Sequence, residues 1–238
     1  MRNKVYQSYR QIQQFTEDAA HELQTPLAAL QASIESTLRV ETPTLNQTLD
    51  TLHAVDRQNR RLSHLVKDLL FLSRMKQRAV PHGCQPCCLQ DLIDDVEEEL
   101  AVLAVANGVK LVKEIRATEP LSVVGNEAQL YRAIYNIASN AIRYTPEGGR
   151  VTISLDRIPP HAFIQIRDTG IGIAPEHQPR IFDRFYRVES DRSRRTGGSG
   201  LGLAIAREIL RTHNGRIQVQ SKLGCGSTFT VRLNCDRF

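Results

Sequence analysis

Apolar residues recur every three or four positions in two long runs, 8–40 and 45–75, and this spacing constrains the fold of the chain most. Because an α-helix turns about once every 3.6 residues, each run predicts a long helix with one apolar stripe. Pro43 and its polar neighbours predict a turn between the helices, and therefore an antiparallel helical hairpin. The apolar positions are Ile12, Phe15, Ala19, Leu23, Leu27, Leu30, Ile34, Leu38, Leu45, Leu49, Leu52, Val55, Leu62, Leu65, Leu69, Leu72 and Met75.

One hairpin cannot bury both of its stripes, whereas two hairpins from two copies of the chain would form a four-helix bundle with a closed core. The fold predicted for this part is therefore a homodimeric four-helix bundle. Pro26 lies inside the first helix, where it removes a backbone hydrogen bond. We expect it to bend or loosen the helix at that point.

The composition excludes several classes of protein. The 238 residues can form one large domain or two small ones, and a content of 41% hydrophobic and 24% charged residues is typical of soluble globular proteins. The sequence has no apolar run of about 18 residues, and its first residues lack the apolar core of a signal peptide. Five cysteines, an odd number, indicate a reducing compartment, so we expect a cytoplasmic segment without membrane contact. The net charge of +5 is spread out and only 5% of residues are aromatic, so nucleic-acid binding is not predicted.

Residues 77–88 have the composition of a linker, with two prolines and one glycine. His82, Cys84, Cys87 and Cys88 could form a metal cluster, but their spacing matches no standard zinc-binding pair followed by a second pair. We therefore favour a linker that leads into a short strand.

From residue 89 onward the pattern mixes helices and strands. We expect three helices, the second of them capped by Asn126, at 89–106, 126–144 and 201–212. Short strands are expected at 109–115, 121–124, 151–155, 163–167, 216–221 and 227–233. Because helices and strands do not alternate strictly, the pattern favours a layered α+β sandwich over a doubly wound parallel sheet. The predicted domains are a dimerisation domain, the linker and a second domain, at 1–76, 77–88 and 89–238.

His21 and Glu22 are neighbours on the first predicted helix. A carboxylate that accepts the proton of one ring nitrogen makes the other nitrogen of an imidazole more nucleophilic. Most such pairs are solvated surface residues, so the pair alone supports a catalytic role only weakly. The features of an ATP site further along the chain strengthen the case for a catalytic role of this pair.

Four separated segments of the second domain have the features of an ATP site. Asn136 and Asn140, four residues apart, lie on one helix face, and their amide oxygens suit Mg²⁺. Asp168 follows a predicted strand and could accept a hydrogen bond from the amino group of adenine. Gly170 and Gly172 let the backbone turn tightly and approach a ligand. Taken singly, these segments could also be surface amides and an ordinary turn.

The third segment, 196–203, is rich in glycine and opens the last predicted helix, where free N–H groups and the helix dipole favour phosphate. It matches neither the dinucleotide-binding pattern nor the P-loop. The fourth segment, 226–229, lies in the final strand. The long polar segment 178–195 would be a lid or a disordered loop. Its arginines could face phosphates or be solvated: Arg184, Arg187, Arg192, Arg194 and Arg195.

In this combination and order, the segments resemble the cytoplasmic catalytic core of bacterial sensor histidine kinases of two-component signalling, over roughly residues 8–234. The resemblance includes His-Glu-Leu-Gln-Thr-Pro at 21–26, the asparagine pair, both glycine segments, and Phe182 with Phe185. It implies a helical hairpin followed by an ATP-binding α+β sandwich of the gyrase, chaperone and kinase type. It also implies ATP and Mg²⁺ as cofactors, a homodimer, and the receiver domain of a response regulator as partner.

The resemblance further implies roles for individual residues. ATP would phosphorylate His21, Glu22 would be the base on its ring, and the phosphoryl group would pass to an aspartate of the regulator. Thr25 would orient water for dephosphorylation of the regulator, and Asn140 and Asn136 would hold Mg²⁺. The implied nucleotide-binding residues are Asn136, Asn140, Arg143, Tyr144, Asp168, Gly170, Gly172, Tyr186, Arg187, Gly198, Gly200, Leu201, Gly202 and Thr228.

Two positions depart from the family pattern, since Gln24 stands where Arg is usual and Ala20 where Ser is frequent. Neither residue does chemistry in this interpretation, so we expect activity to be retained. Family members usually carry a sensing domain, membrane spans and a signal-relay linker before this core. We therefore expect an upstream membrane sensor in the full-length protein, located in the bacterial inner membrane; the alternative is a sensor in another chain.

Two other classes of function use parts of the same pattern. An ATP-driven chaperone or DNA-repair clamp would use the same sandwich but has no use for His21. A non-catalytic dimeric module with a decayed ATP site is disfavoured by the intact Asn140, Asp168 and glycines.

Overall fold

The computed structural model describes residues 2–42, 44–76, 83–188 and 199–235. The chain divides into two compact units, Met1–Arg74 and Met75–Phe238. Among the described residues, no helix combines the length and the apolar character needed to cross a lipid bilayer.

The first unit is built from two long helices, α1 (Arg2–Leu38) and α2 (Leu45–Lys76). The hydroxyls of Thr37 on α1 and Thr51 on α2 lie 2.6 Å apart and share a hydrogen bond near the connecting turn. The predicted hairpin is therefore confirmed. Helix α1 continues through Pro26, whose side chain is buried.

The second unit contains three helices and seven strands among its described residues. In chain order they are β1 (Gln85–Cys88), α3 (Leu89–Ala106), β2 (Lys110–Ile115), β3 (Ser122–Gly125), α4 (Glu127–Arg143), β4 (Arg150–Ile158), β5 (His161–Asp168), α5 (Gly202–Thr212), β6 (Arg216–Lys222) and β7 (Gly226–Asn234). The side chain of Asn126 accepts a hydrogen bond from the N–H of Gln129 at 3.0 Å, so the predicted cap of α4 is confirmed.

Five strands form one sheet in the order β2-β4-β5-β7-β6, in which β2 and β4 are parallel and the other pairs antiparallel. Alternate residues of the central strands are buried, as period-two side chains require, and they meet the apolar faces of the helices. On α4, buried residues recur every three or four positions from Leu130 to Ile142. Helices α3, α4 and α5 and the sheet thus form two layers around one core, which confirms the predicted α+β architecture.

Strand β1 pairs with β3 in a separate two-stranded sheet. We expected the linker to lead into a short strand, and the observed strand at 85–88 occupies the last residues of the range 77–88. The strand is fixed by distant pairing, with Cys87 opposite Val123, and the linker composition around it gives no sign of that partner. Cys87 is buried, and burial raises the pKa of its thiol to about 11. Among the described residues no group of histidine, cysteine or carboxylate side chains could hold a metal ion. His82, part of the weighed metal cluster, lies outside the described residues.

Candidate functional site

His21 lies on the exposed surface of α1, one turn before Thr25. The Thr25 hydroxyl donates a hydrogen bond to the carbonyl oxygen of His21 at 3.2 Å. Glu22 is half-buried, and in the described part of the chain its carboxylate makes no hydrogen bond with the imidazole. The ring is therefore open to a reaction partner, and the pairing of Glu22 with it stays a prediction.

The predicted asparagine pair lies on the face of α4 that meets the start of α5. Asn136 donates from Nδ2 to the carbonyl oxygen of Gly202 at 3.1 Å, which leaves its Oδ1 for a ligand. A Cβ placed on Gly202 would lie 3.7 Å from Asn136 Cγ and 3.9 Å from Asn140 Nδ2. Asn140 is half-buried, and no described residue bonds its side-chain amide. Two amide oxygens on one face, beside a residue without a side chain, make a site that fits a hard cation.

Asp168 ends β5 and is only 5% exposed. Its Oδ1 accepts two backbone hydrogen bonds, from Gly170 N–H at 2.8 Å and from Ser227 N–H at 3.1 Å. Burial raises the pKa of Asp168 above its ordinary value, and the two N–H groups oppose that rise by stabilising the carboxylate. Its second oxygen, Oδ2, accepts no hydrogen bond from a described residue. The side chain is thus held in one orientation with one acceptor left for a ligand.

Two glycines allow close backbone contacts, one with Asp168 and one with Lys222. Gly226 has a φ of 94°, and a Cβ there would lie 2.1 Å from the carbonyl oxygen of Asp168. Gly172 has a φ of 68°, and a Cβ there would lie 2.0 Å from the carbonyl oxygen of Lys222. Both positions combine left-handed backbone with a contact that no side chain could tolerate.

We expect Gly172→Ala to lower the free energy of unfolding of the second unit by about 3 kcal/mol, because it adds an overlap with Lys222 to left-handed strain. Gly224→Ala is the matched control, since Gly224 has a φ of 78° but no heavy atom within 4 Å of its added Cβ. The control should lower the free energy of unfolding by only about 1 kcal/mol. Urea unfolding followed by circular dichroism measures the free energy of unfolding of both variants. Equal losses in the two variants would contradict the close approach of Gly172 to Lys222.

The aromatic residues of the segment before 189 anchor it to the core. Phe182 is buried and meets the ring of Phe229 edge-on at 6.4 Å. Phe185 has a φ of 61°, a value that non-glycine residues rarely adopt, and its N–H donates to the carbonyl oxygen of Gly200 at 3.0 Å. Gly200 has a φ of 70°, and a Cβ there would lie 2.8 Å from the carbonyl carbon of Phe185. The chain at 185 and the chain at 200 are therefore held in direct backbone contact.

Tyr186 is fixed by two neighbours on the same segment. Its hydroxyl lies 2.8 Å from Nδ1 of His177, and the guanidinium of Arg180 stacks on its ring at 4.3 Å from the centroid. Arg187 follows and is half-buried.

The other predicted residues lie in different surroundings. Arg143 and Tyr144 are exposed at the end of α4, and Leu201 is fully buried at the start of α5. The carbonyl oxygen of Tyr144 accepts from the N–H of Ile171 at 3.2 Å, so the end of α4 contacts the glycine turn. Gly198 and the arginines at 192, 194 and 195 lie outside the described residues.

Thr228 and Ser227 project to opposite faces of β7, because side chains alternate along a strand. Thr228 lies beside Arg167 and Gln220 in the sheet, on the face away from the helices. Ser227 is buried, its N–H bonds Asp168, and its hydroxyl lies 2.9 Å from that of Ser221. Ser227 therefore contacts Asp168 directly, a contact that the sequence analysis did not predict. The alternation of β7 counted from buried Phe229 was the signal that could have found it.

Two family models match the chain, in the order of its two units. Residues 11–78 match the His Kinase A (phospho-acceptor) domain. Residues 125–237 match the histidine kinase-, DNA gyrase B- and HSP90-like ATPase. The first match contains His21, and the second contains the asparagine pair, Asp168 and the glycines.

Similar proteins carry the same two parts. Sensor histidine kinase RppB of Synechocystis sp. is 50% identical over 96% of this chain and 50% of its own length. The phosphate regulon sensor protein PhoR of Pseudomonas aeruginosa is 33% identical over 97% of this chain and 52% of its own length. The solved structure of the mycobacterial sensor histidine kinase MprB is 29% identical, with a TM-score of 0.56 over 65% of this chain and 99% of that one.

The chain spans about half the length of the curated relatives it matches. The chain combines a phospho-acceptor hairpin with an ATPase domain, and it is up to 50% identical to sensor histidine kinases. This combination defines the two-component histidine kinase core. The chain belongs to the two-component sensor histidine kinase family and forms its catalytic core.

Proposed function

We propose that this chain uses ATP to phosphorylate His21 and then passes the phosphoryl group to an aspartate in the receiver domain of a response regulator. The proposal is carried by the buried carboxylate of Asp168, which the N–H groups of Gly170 and Ser227 hold in one orientation. The asparagine pair lies in the same unit. That unit follows a hairpin that exposes a histidine.

Adenine recognition is assigned to Asp168. Its Oδ2 would accept a hydrogen bond from the exocyclic amino group, which adenine offers as a donor. Oδ1 already accepts two backbone hydrogen bonds, so rotation of the carboxylate away from this orientation would break both of them. Ser227, rather than Thr228, is proposed as the hydroxyl beside the base, since its own N–H bonds the same carboxylate.

Mg²⁺ would be held by Oδ1 of Asn136 and by Asn140, with phosphate oxygens and water completing its shell. When bound, the ion supplies positive charge that offsets the charge of the phosphates during transfer. Gly202 keeps the space beside both amides open. We further assign phosphate binding to Gly200, the start of α5 and Arg187, because N–H groups at a helix start and a guanidinium both attract anions.

The chemical step forms one bond and breaks one bond. Nε2 of His21 attacks the γ-phosphorus in line, the bond from that phosphorus to the β–γ bridging oxygen breaks, and ADP leaves with the electron pair. Glu22 takes the Nδ1 proton, so the phosphorylated ring ends neutral. The exposure of His21 supports its role as the acceptor, because a second protein must also reach the phosphoryl group. Thr25, exposed one turn later, would orient water if the regulator is dephosphorylated at the same place.

A homodimer is part of the proposal. Apolar side chains along the hairpin are between 43% and 78% exposed, and a second hairpin would cover them. These residues are Leu27, Ile34, Leu38, Leu45, Leu49 and Leu52. Within a longer protein, we propose that a membrane-bound sensing region drives this core.

The test of the proposed function is incubation with γ-labelled ATP and Mg²⁺, followed by acid and alkali treatment of the labelled protein. Label that survives alkali and is lost in acid indicates a phosphorus–nitrogen bond, as phosphohistidine requires. Steady ATP hydrolysis without label on the protein would instead indicate an ATP-driven clamp.

We expect Asn140→Ala to abolish labelling and to weaken binding of ATP with Mg²⁺ by about tenfold or more, because a ligand of the cation is lost. The matched control is Asn234→Ala, an exposed asparagine at the end of β7. Fluorescence of a trinitrophenyl-ATP analogue gives the affinity with and without Mg²⁺. An unchanged Mg²⁺ dependence in Asn140→Ala would remove Asn140 from the cation site.

A further inference from the structure

His213 follows the last residue of α5. Its two ring nitrogens make hydrogen bonds with two different parts of the fold. Nδ1 lies 2.8 Å from the carbonyl oxygen of Ile209, one turn back on α5. Nε2 accepts a hydrogen bond from the backbone N–H of Asn126 at 3.0 Å. A carbonyl can only accept, so Nδ1 carries the proton and Nε2 is the unprotonated acceptor. The structure therefore requires the neutral ring in a single tautomer.

Residues at the start of α4 are shaped to receive this ring. A Cβ on Gly125 would lie 2.8 Å from Cδ2 of His213 and 2.7 Å from Cδ1 of Leu130. Asn126, which donates to the imidazole, is also the residue that caps α4. The imidazole thus packs on the backbone at the point where α4 begins.

A second polar contact joins the same two helices, where Asn136 in the middle of α4 donates to Gly202 at the start of α5. From Asn126 to Asn136 the chain advances ten residues, and from Gly202 to His213 it advances eleven. At a rise of about 1.5 Å per residue, these steps correspond to roughly 15 Å and 16 Å. The helices therefore run antiparallel and are tied at two points whose spacing matches. One tie lies beside the proposed cation site, and the other is His213.

We propose that His213 is a positioning residue that sets the register of α5 against α4, and that nucleotide affinity therefore depends on its imidazole being neutral. The proposal rests on the nucleotide site proposed above. Neither Asn126 nor His213 touches that site, so His213 acts only through the two helices.

Protonation would break the tie, because imidazolium has no lone pair to accept the Asn126 N–H. Burial lowers the pKa of His213 below its ordinary value, and the Ile209 carbonyl opposes that shift. The folded form thus favours the neutral ring. The stabilisation is fully present above the unfolded value of about 6.5 and is lost as pH falls below it toward the lower folded pKa.

Charged or titratable groups stand on the elements around this ring, but none of those described hydrogen-bonds the imidazole. Glu208 and Arg211 on α5 pair with each other at 2.7 Å. The groups on neighbouring elements are Glu127 on α4, Cys87 on β1, Arg216 on β6 and Arg232 on β7.

The test compares the affinity of the whole chain for trinitrophenyl-ATP with Mg²⁺ between pH 8 and pH 5.5. We expect the wild-type dissociation constant to rise about fivefold more than that of His213→Gln, whose side-chain oxygen accepts from Asn126 without titrating. His213→Leu lacks the acceptor at every pH and should bind about fivefold more weakly than His213→Gln even at pH 8. Any effect of pH on the nucleotide itself or on the rest of the protein is common to all three proteins and cancels in the comparison.

Hydrogen exchange of the Asn126 amide and the nitrogen spectrum of the His213 ring provide a readout without nucleotide. The amide protection factor of the wild type should fall as pH falls below about 6.5, and that of His213→Gln should not. Equal pH profiles in the two proteins, or a ring protonated at Nε2 at pH 8, would overturn the proposal. If the wild type binds no nucleotide at pH 8, the proposed function fails, while amide protection still decides whether His213 ties the helices.

Discussion

Replacing His21 by alanine is expected to abolish incorporation of label from γ-labelled ATP while leaving ATP binding intact. The loss should be roughly 1,000-fold or more, because the variant removes the nucleophile itself. The dissociation constant of ATP should change by less than about threefold, since His21 lies in the first unit and the proposed nucleotide residues in the second. Autoradiography of the protein and nucleotide fluorescence measure the two quantities separately.

The matched control is His53→Ala, because His53 is also an exposed histidine on a helix of the first unit. It should keep full labelling with the same sensitivity to acid. Acid-labile label that persists in His21→Ala would place the acceptor elsewhere and refute the site assignment. Loss of nucleotide binding in His21→Ala would instead show that the variant disturbs more than the acceptor.

Asp168→Asn should weaken ATP binding by about 100-fold, near 3 kcal/mol, without unfolding the second unit. The asparagine carbonyl can keep the place of Oδ1 and accept from Gly170 and Ser227, whose N–H groups lie 2.8 Å and 3.1 Å from it. The amide nitrogen then replaces Oδ2, so a donor faces the donor amino group of adenine. Guanine presents an acceptor at the equivalent position, so the preference for ATP over GTP should collapse.

Competition of ATP and GTP against a fluorescent analogue measures both effects, and Asp156→Asn on β4 is the matched control. Asp156 is a half-buried aspartate whose carboxylate accepts from its neighbour Arg157. The control should leave the affinity and the base preference unchanged. Retained preference for ATP in Asp168→Asn would assign adenine recognition to another group.

Structural features that depend on residues close together in the sequence were predicted accurately. The helix at Leu89–Ala106 has the predicted bounds, and α4 begins after the predicted cap at Asn126. Spacing also placed Asn136 and Asn140 on one face of α4, because residues four apart always are neighbours on a helix. Such features depend on contacts within one or two turns, which the local sequence specifies.

Features that depend on distant partners were not predicted. The short strand expected after the linker was given neither bounds nor a partner, because the pairing of β1 with β3 is not visible in its composition. The resemblance named Thr228 beside the nucleotide, and our proposal names its neighbour Ser227; either hydroxyl suits a ligand. Only the register of β7 separates them, since it brings the N–H of Ser227 to Asp168 and places Thr228 opposite Arg167.

By itself the sequence determined the two-part organisation and most helices and strands, and it supplied the residues proposed for phosphoryl transfer, because periodicity, caps and short motifs are local properties. The tertiary structure alone decided the strand order, the orientation of the Asp168 carboxylate and the contact between His213 and Asn126. The last two join residues 59 and 87 positions apart. Such pairs form only when the whole core packs, and many alternative partners are chemically equivalent until burial and backbone direction select one.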